Sequence, residues 1–280
     1  MRILSTETLI PVVRDLCIEA CQQLSTNVTD ALRDARKREE SPLCQEILDM
    51  IIENAAFASE NHLACCQDTG MTVVFLEIGQ EICWEGMPLY DAVNEGVRQG
   101  YRDGYLRKSV VEDPLLRKNT GDNTPAMIYP EIVPGDKVKI TILPKGAGSE
   151  NMSALYMLTP ADGVEGVKKA VLEAVERAGG KPCPPLVLGI GLGGTMDKAA
   201  LLSKKALQRD IGVRNPQPHL AMLEEELLEL LNKTGIGALG MGGTVTALDV
   251  HIEGFATHIA CLPMAITMQC HAYRHASAEL

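Results

Sequence analysis

The chain has 280 residues, of which 46% are hydrophobic and 22% charged, so it can bury a sizeable core. Its formal charge of −11 and its pI near 5.1 argue against nucleic acid or an anionic membrane as a partner, because both need a basic surface. No apolar run approaches the roughly 20 residues of a membrane span and no signal-peptide core follows Met1, so we expect a cytoplasmic protein.

The first sixty residues have the periodicity of helices. Apolar residues recur three and four positions apart over 9–21 and again over 44–55, which predicts at least two helices before residue 62. The charged interval 33–40 is typical of a solvated helix end, and we assign it no function.

A stretch of polar side chains, Ala-Cys-Cys-Gln-Asp-Thr-Gly, occupies residues 64–70. Two thiols, an amide, a carboxylate and a hydroxyl stand directly before an apolar run at 71–78, which predicts a buried strand. Such a density of groups that ligate metal or transfer protons favours the wall of a site over a solvent loop. We therefore interpret residues 64–70 as a candidate active-site loop.

Helices and strands alternate after this loop. The patterns predict helices over 89–105, 162–178, 196–207 and 219–233, and strands over 138–143 and 242–253. We expect a mixed α/β fold in which a helical N-terminal region is followed by alternating strands and helices with a mixed sheet. The expected organisation is one domain over 1–280, helical over about 1–62 and mixed α/β over about 63–280.

Two further loops are rich in turn formers. On composition alone, residues 119–126, Asn-Thr-Gly-Asp-Asn-Thr-Pro-Ala, favour a surface turn over a functional role. The glycine-rich residues 144–151 follow a predicted strand and could turn backbone amides toward a carboxylate or a phosphate.

Two stretches match the pattern G-x-G-x-x-G, at residues 189–194 and 235–240. Dinucleotide binding also needs an acidic residue at the end of a second strand, and Asp210 instead follows a predicted helix directly. We therefore favour close packing, or backbone donation near a site, over nucleotide binding.

Nine cysteines are many for a cytosolic chain, and an odd number cannot all pair internally. Four of them lie in apolar or helical contexts, where an inert core thiol is the expected role. These four are Cys17, Cys21, Cys44 and Cys83.

Three cysteines, Cys66, Cys183 and Cys270, stand beside polar or conformationally special residues. Their wide separation and the absence of a C-x-x-C pair argue against zinc ribbons and most ferredoxin sites, so spacing alone leaves a metal site open. Three thiolates would leave one iron of a cubane cluster free to act as a Lewis acid, which suits dehydration chemistry.

Several of these motifs together resemble class I fumarate hydratase, specifically its alpha subunit, from about residue 10 to the C-terminus. The motifs that carry the resemblance are Cys66-Gln-Asp-Thr-Gly, Asn119-Thr-Gly-Asp-Asn-Thr-Pro-Ala, Gly146-Ala-Gly-Ser-Glu-Asn, Cys183-Pro-Pro, Gly193-Gly-Thr-Met-Asp-Lys, His258-Ile-Ala and Gln269-Cys-His. Their shared order makes the resemblance far more specific than any one of them.

The resemblance implies a 4Fe-4S cluster held by Cys66, Cys183 and Cys270, with the fourth iron binding substrate. It also implies a role for Asp68 in proton transfer and roles for Arg107 and His258 in holding carboxylates. The other substrate-contacting positions that it implies are Gln67, Gly146, Gly148 and Ser149. Without the resemblance, His258 on an apolar stretch would be interpreted as a satisfied core histidine.

Single-chain members of that family carry a further C-terminal domain, to which nothing in this chain corresponds. We therefore expect a beta subunit as partner, in a heterodimer or heterotetramer, and almost no activity without it. The implied reaction is the hydration of fumarate to (S)-malate, a step of the tricarboxylic acid cycle. Smaller departures are Ala147, where the family often has glycine, and Cys261, where a small residue is more usual.

Two alternatives stay open. The alpha subunit of L-tartrate dehydratase shares the cluster cysteines and the dehydration chemistry, although residues 148–151 resemble the fumarate hydratase version of the loop. A subunit of another class, a binding or scaffold protein without a cluster, would be colourless.

Overall fold

The computed structural model describes all 280 residues and confirms the mixed α/β fold. Its helices are α1 (Leu9–Gln22), α2 (Thr26–Arg38), α3 (Pro42–Glu60), α4 (Leu89–Asp103), α5 (Ala147–Glu150), α6 (Gly163–Ala178), α7 (Met196–Ala206) and α8 (Pro218–Asn232). Its strands are β1 (Arg2–Ser5), β2 (Met71–Gly79), β3 (Ile82–Glu85), β4 (Met127–Val133), β5 (Val138–Lys145), β6 (Ala154–Leu158), β7 (Leu186–Gly193), β8 (Ala247–Phe255), β9 (Leu262–Gln269) and β10 (Ala276–Glu279).

Most long periodic elements lie where the sequence predicts them, but the short strands and the eight-residue β9 were not predicted. The predicted helical region contains α1, α2 and α3, but it is preceded by β1, which pairs in parallel with β3. A four-residue strand is too short to give a periodic signal. None of the helices is long and apolar enough to cross a membrane.

The chain forms two compact units. Unit 1 comprises Met1–Leu24, Ala55–Gly146 and Arg274–Leu280, and unit 2 comprises Ser25–Asn54 and Ala147–Tyr273. The single domain expected from the sequence stays a prediction.

Unit 1 contains a four-stranded sheet in the order β10-β5-β2-β4. Strand β2 is parallel to β4 and antiparallel to β5, which is antiparallel to β10. The starts of β2, β4 and β10 therefore lie at the same edge as the end of β5. We call this edge the unit 1 edge, and its loops are residues 64–70, 104–126 and 146, with 274–275.

Unit 2 contains a second four-stranded sheet in the order β6-β9-β7-β8, with apolar side chains of α6 and α8 in its core. Strand β7 is parallel to β8 and antiparallel to β9, which is antiparallel to β6. The starts of β6, β7 and β8 and the end of β9 therefore share one edge, which we call the unit 2 edge. The ends of β7 and β8 and the start of β9 share the opposite edge.

The first G-x-G-x-x-G stretch lies largely inside β7 and does not form a phosphate-binding loop. A Cβ atom at Gly189 would lie 2.1 Å from the carbonyl oxygen of Ser203, and one at Gly191 would lie 2.0 Å from that of Ala199. These glycines thus let α7 pack directly on the strand, which confirms the interpretation as close packing.

Replacing Gly191 by alanine should therefore destabilise the protein, because the new methyl group would push α7 off the sheet. We expect G191A to lower the free energy of unfolding by about 2 kcal/mol or more, measured by urea denaturation. The matched control is G254A on the neighbouring strand, where the nearest atom to a Cβ is a flexible leucine carbon at 3.3 Å. Equal losses in the two variants would contradict the packing explanation.

Candidate functional site

Five of the predicted site residues lie at the unit 1 edge. Cys66, Gln67 and Asp68 belong to the loop before β2, Arg107 lies between α4 and β4, and Gly146 follows β5. Cys66 and Asp68 are half-buried, whereas Gln67 and Arg107 are exposed. The sheet thus brings together groups that are up to 80 residues apart in the sequence.

The loop at residues 64–70 lies against the end of β5. Gly70 has a φ of +75°, and a Cβ atom there would lie 2.4 Å from the backbone carbon of Lys145. Only glycine avoids both the strained conformation and the clash. This close approach fixes the loop beside Gly146.

Buried side chains hold the last two residues of this loop. The Tyr101 hydroxyl lies 3.0 Å from the carbonyl oxygen of Thr69 and 3.1 Å from that of Gly70. The Asn123 amide donates to the same Gly70 oxygen at 3.2 Å and accepts from the Ser109 N–H at 2.6 Å. Both side chains are almost fully buried, so the loop is braced from the core.

The role of Asn123 corrects the expectation for residues 119–126. Most of this stretch is at the surface, as its composition favoured, but Asn123 is completely buried with a φ of +64°. Asparagine tolerates this left-handed conformation better than most residues. The turn therefore supports the candidate loop.

The Asp68 carboxylate lies between the backbone of Gly70 and that of Gly146. Its Oδ1 accepts from the Gly70 N–H at 3.1 Å. A Cβ atom at Gly146 would lie 3.2 Å from Asp68 Oδ2 and 3.6 Å from Arg274 Nη2. The carboxylate and the guanidinium therefore both lie within 4 Å of one point.

Sequence reasoning missed Arg274, which is only 1% exposed and is the largest fully buried side chain in the chain. A signal was available, because it is the one charged residue between Glu253 and Glu279. Burial raises the pKa of Cys21 to about 12, and the Arg274 guanidinium opposes that shift. Arg274 thus supplies a buried positive charge to the unit 1 edge, close to Asp68.

Arg107 is tied to the loop through its backbone and leaves its side chain available. The Thr69 hydroxyl donates to the Arg107 carbonyl oxygen at 3.1 Å. The guanidinium forms no ion pair within the chain. An exposed, unpaired arginine held beside a carboxylate-bearing loop can bind an anionic ligand.

The unit 2 edge contains another four predicted residues. Gly148 and Ser149 lie in α5, Cys183 precedes β7, and Cys270 follows β9. A Cβ atom at Gly148 would lie 3.5 Å from the carbonyl oxygen of residue 181, two positions before Cys183. The Ser149 hydroxyl lies 3.5 Å from Gln269 Oε1, next to Cys270.

Backbone hydrogen bonds join the turns that carry Cys183 and Cys270. The His271 N–H donates to the Cys183 carbonyl oxygen at 3.1 Å, and the Cys183 N–H donates to Gly180 at the same distance. Cys183 is exposed and has a φ of +57°. Its thiol is therefore accessible on a turn that backbone bonds hold in place.

The second G-x-G-x-x-G stretch, residues 235–240, supports the Cys183 turn. The Leu239 N–H donates to the Pro184 carbonyl oxygen at 2.8 Å. The loop that follows this stretch is held by Glu39. The Glu39 carboxylate accepts from the N–H groups of Thr244 and Val245 at 2.9 Å. Burial by itself would raise the pKa of Glu39. The hydrogen bonds from the backbone amides of Ser41, Thr244 and Val245 outweigh burial and lower the pKa of this carboxyl group.

His258 lies at the opposite edge of the second sheet, in the exposed loop between β8 and β9. Strand β9 has eight residues, so about 25 Å separates this loop from the Cys270 end of the strand. The His258 ring accepts from the Ala260 N–H at 3.2 Å and is not a buried core histidine. The sheet of unit 2 does not bring His258 to Cys183 or Cys270, and its role stays a prediction.

The thiols differ in accessibility. Cys17, Cys21, Cys44 and Cys65 are buried, which fits the inert role expected for the first three. The predicted ligands Cys66 and Cys270 are half-buried and Cys183 is exposed. None of the nine forms a disulfide, and the three predicted ligands are accessible to a cofactor, so their role as cluster ligands stays a prediction.

Comparison with known proteins supports a common origin over nearly the whole chain. The sequence profile of the family described as fumarate hydratase (Fumerase) matches residues 10–279. A Methanocaldococcus jannaschii protein, provisionally named as an L(+)-tartrate dehydratase alpha subunit, is 48% identical over 271 residues, 95% of each chain. The L(+)-tartrate dehydratase alpha subunit of Escherichia coli K12 is 31% identical over 255 residues, 90% of this chain and 84% of the relative.

Removing the Tyr101 hydroxyl should loosen the candidate loop without disturbing the rest of unit 1. We expect Y101F to cost about 0.5–2 kcal/mol of stability and to speed amide hydrogen exchange at residues 65–71. The control is Y156F, because Tyr156 is half-buried and its hydroxyl has no hydrogen bond within the chain. Unchanged exchange at residues 65–71 in Y101F would show that the two carbonyl contacts do not hold the loop.

Neutralising Glu39 should free the loop that supports Cys183. We expect E39Q to lower the free energy of unfolding by about 1–3 kcal/mol at pH 7 and to speed hydrogen exchange at residues 237–245. Because the folded-state pKa is lowered, the advantage of the wild type is full above the ordinary value of 4.5 and is lost as the pH falls through the folded pKa. E40Q is the control, since that exposed side chain has no partner. The prediction is wrong if the stability difference between E39Q and wild type persists well below that pH.

Proposed function

The chain belongs to the fumarate hydratase (Fumerase) family, and from this premise we propose that it is the cluster-binding alpha subunit of an iron-sulfur hydro-lyase. The observation that carries the proposal is the collection of the predicted residues at sheet edges. Cys66, Asp68 and Arg107 share the unit 1 edge, and Cys183 and Cys270 share the unit 2 edge.

In this proposal, Cys66, Cys183 and Cys270 hold a 4Fe-4S cluster. The support for this ligand set is that none of the three is in a disulfide and none is fully buried. Cys183 and Cys270 stand on turns joined by the hydrogen bond between His271 and Cys183. When bound, such a cluster supplies an open iron that acts as a Lewis acid toward a substrate hydroxyl.

The residues of the chain would supply binding and proton transfer. Asp68 takes part in moving a proton at the carbon next to a carboxylate, and its Oδ2 is the oxygen not used by the Gly70 N–H. Arg107 and the buried charge of Arg274 stabilise negative charge at the same edge. Gln67 and the backbone at Gly146, Gly148 and Ser149 orient the substrate.

For the substrate we propose fumarate, hydrated to (S)-malate, because residues 148–151 resemble the fumarate hydratase loop. L-tartrate is the second candidate, and the names of the relatives in Methanocaldococcus jannaschii and Escherichia coli favour it. Both are four-carbon dicarboxylates whose reaction removes or adds water beside a carboxylate. The names of these relatives as alpha subunits also support a beta subunit as the partner. We propose that the complex is cytoplasmic.

The test of this function is turnover by the anaerobically purified complex of the chain with its beta subunit. Fumarate hydration and L-tartrate dehydration are measured side by side, and the ratio of the two kcat/KM values identifies the substrate. Activity on neither acid, by a complex that contains iron and sulfide, would contradict both candidates. A complex without iron or colour would favour a scaffold subunit.

The ligand set predicts a specific pattern among the cysteine variants. Under anaerobic reconstitution, wild type should show a broad absorption band at roughly 400 nm. Replacement of Cys66, Cys183 or Cys270 by serine should abolish the band, because each removes a thiolate from the cluster. Half-buried Cys261 is the matched control, and C261S should keep the band. Loss of the band in C261S but not in C183S would refute the assignment.

A further inference from the structure

The segment at residues 105–120 forms a small hairpin that extends from the unit 1 edge. Val111 and Asn119 form an antiparallel bridge. The N–H of Glu112 donates to the Lys118 carbonyl oxygen at 2.8 Å, and that of Thr120 donates to Val110 at 3.0 Å. These bonds make residues 110–120 a defined element, which we call the docking hairpin.

The tip of the docking hairpin presents two leucines to solvent. Leu115 is 88% exposed and Leu116 is 84% exposed. Asp113 Oδ1 accepts from the N–H groups of both leucines, at 2.8 and 2.7 Å, and these bonds lower the pKa of Asp113. These hydrogen bonds fix the backbone of the turn from which the two apolar side chains project into solvent. Ordered, paired apolar side chains at a surface typically mark an interaction site.

Residues 107–118 contain four cationic side chains and two carboxylates, Glu112 and Asp113, on a chain that is acidic overall. Lys118 pairs with Glu112, but Arg107, Lys108 and Arg117 form no ion pair within the chain. A surface with an apolar centre and a cationic rim complements an apolar pocket with acidic side chains around it.

The base of the hairpin is joined to the candidate loop. Leu106 is buried in the core of unit 1, the Asn119 amide donates to Lys108 at 3.0 Å, and Thr69 donates to Arg107. A protein that seats on the hairpin would therefore also contact the exposed face of the site at Arg107. This continuity favours the subunit that completes the site as the occupant.

We propose that the docking hairpin seats the beta subunit, with Leu115 and Leu116 entering an apolar pocket of that subunit. Lys108 and Arg117 meet acidic groups at the rim of the pocket. Seating the hairpin also holds the backbone of Arg107 in place, which couples assembly to formation of the site. The inference rests on the proposed function, because it requires a beta subunit.

The test compares the binding of the purified beta subunit to wild type and to L115D/L116D. Each form of this chain is immobilised on a surface, and the association and dissociation rates of the beta subunit are measured. Each buried leucine contributes about tenfold or more in affinity, so we expect the double variant to bind at least about 100-fold more weakly. The milder L115A/L116A should bind at least about tenfold more weakly and covers the case in which the aspartates disturb the hairpin. R117E should slow association at low salt, because it reverses a rim charge.

The matched control is I3D/I132D, which places two aspartates at apolar residues of unit 1 that are 63% and 68% exposed and lie outside the hairpin. This variant should bind within about twofold of wild type. Binding of both leucine variants within twofold of wild type, while wild type binds, would overturn the docking proposal and leave the proposed function standing. Failure of wild type itself to bind would overturn both. If the leucine variants lose self-association of the free chain and keep the beta subunit, the hairpin contacts a second copy and the proposal is wrong.

Discussion

The loop at residues 64–70 can lie against the end of β5 only because Gly70 has no side chain. Its φ of +75° and the 2.4 Å that would separate a Cβ from the Lys145 backbone leave no room for any other residue. From that contact follow the position of Asp68 beside Gly146, the burial of Tyr101 and Asn123 under the loop, and the attachment of Arg107 to Thr69. The chemistry of unit 1 thus depends on one backbone-to-backbone approach.

Strand direction explains why separate loops meet. In each sheet, three strands begin and one antiparallel strand ends at the same edge, so four connections are brought together. Buried polar groups then fix these loops: Asn123 holds Gly70, and Glu39 holds Thr244 in the loop next to the stretch that supports Cys183. Buried polar side chains with satisfied hydrogen bonds specify a single arrangement, at the risk of a large loss when one partner is removed.

Sequence periodicity was sufficient to predict the elements that have a clear apolar pattern. It was insufficient to predict the short strands and β9. The strand at 71–78 and the helix ending at residue 178 were predicted closely, because each has a clear apolar pattern and a distinct end. Strand β9 was missed, since its run of alternating small and apolar residues carries no turn signal. Arg274 escaped notice because its burial depends on tertiary packing. The separation of His258 from Cys270 follows from strand direction, which no local pattern encodes.

The site residues that the family resemblance implies fall into the two edge groups, with His258 apart from Cys183 and Cys270. The most direct measurement is the Mössbauer spectrum of the 57Fe-reconstituted complex, recorded with and without a dicarboxylate substrate. Three thiolate ligands predict one iron that differs from the other three and whose signal shifts when fumarate or L-tartrate is added. Four equivalent irons that do not respond to substrate would contradict a cluster with an open iron held by Cys66, Cys183 and Cys270.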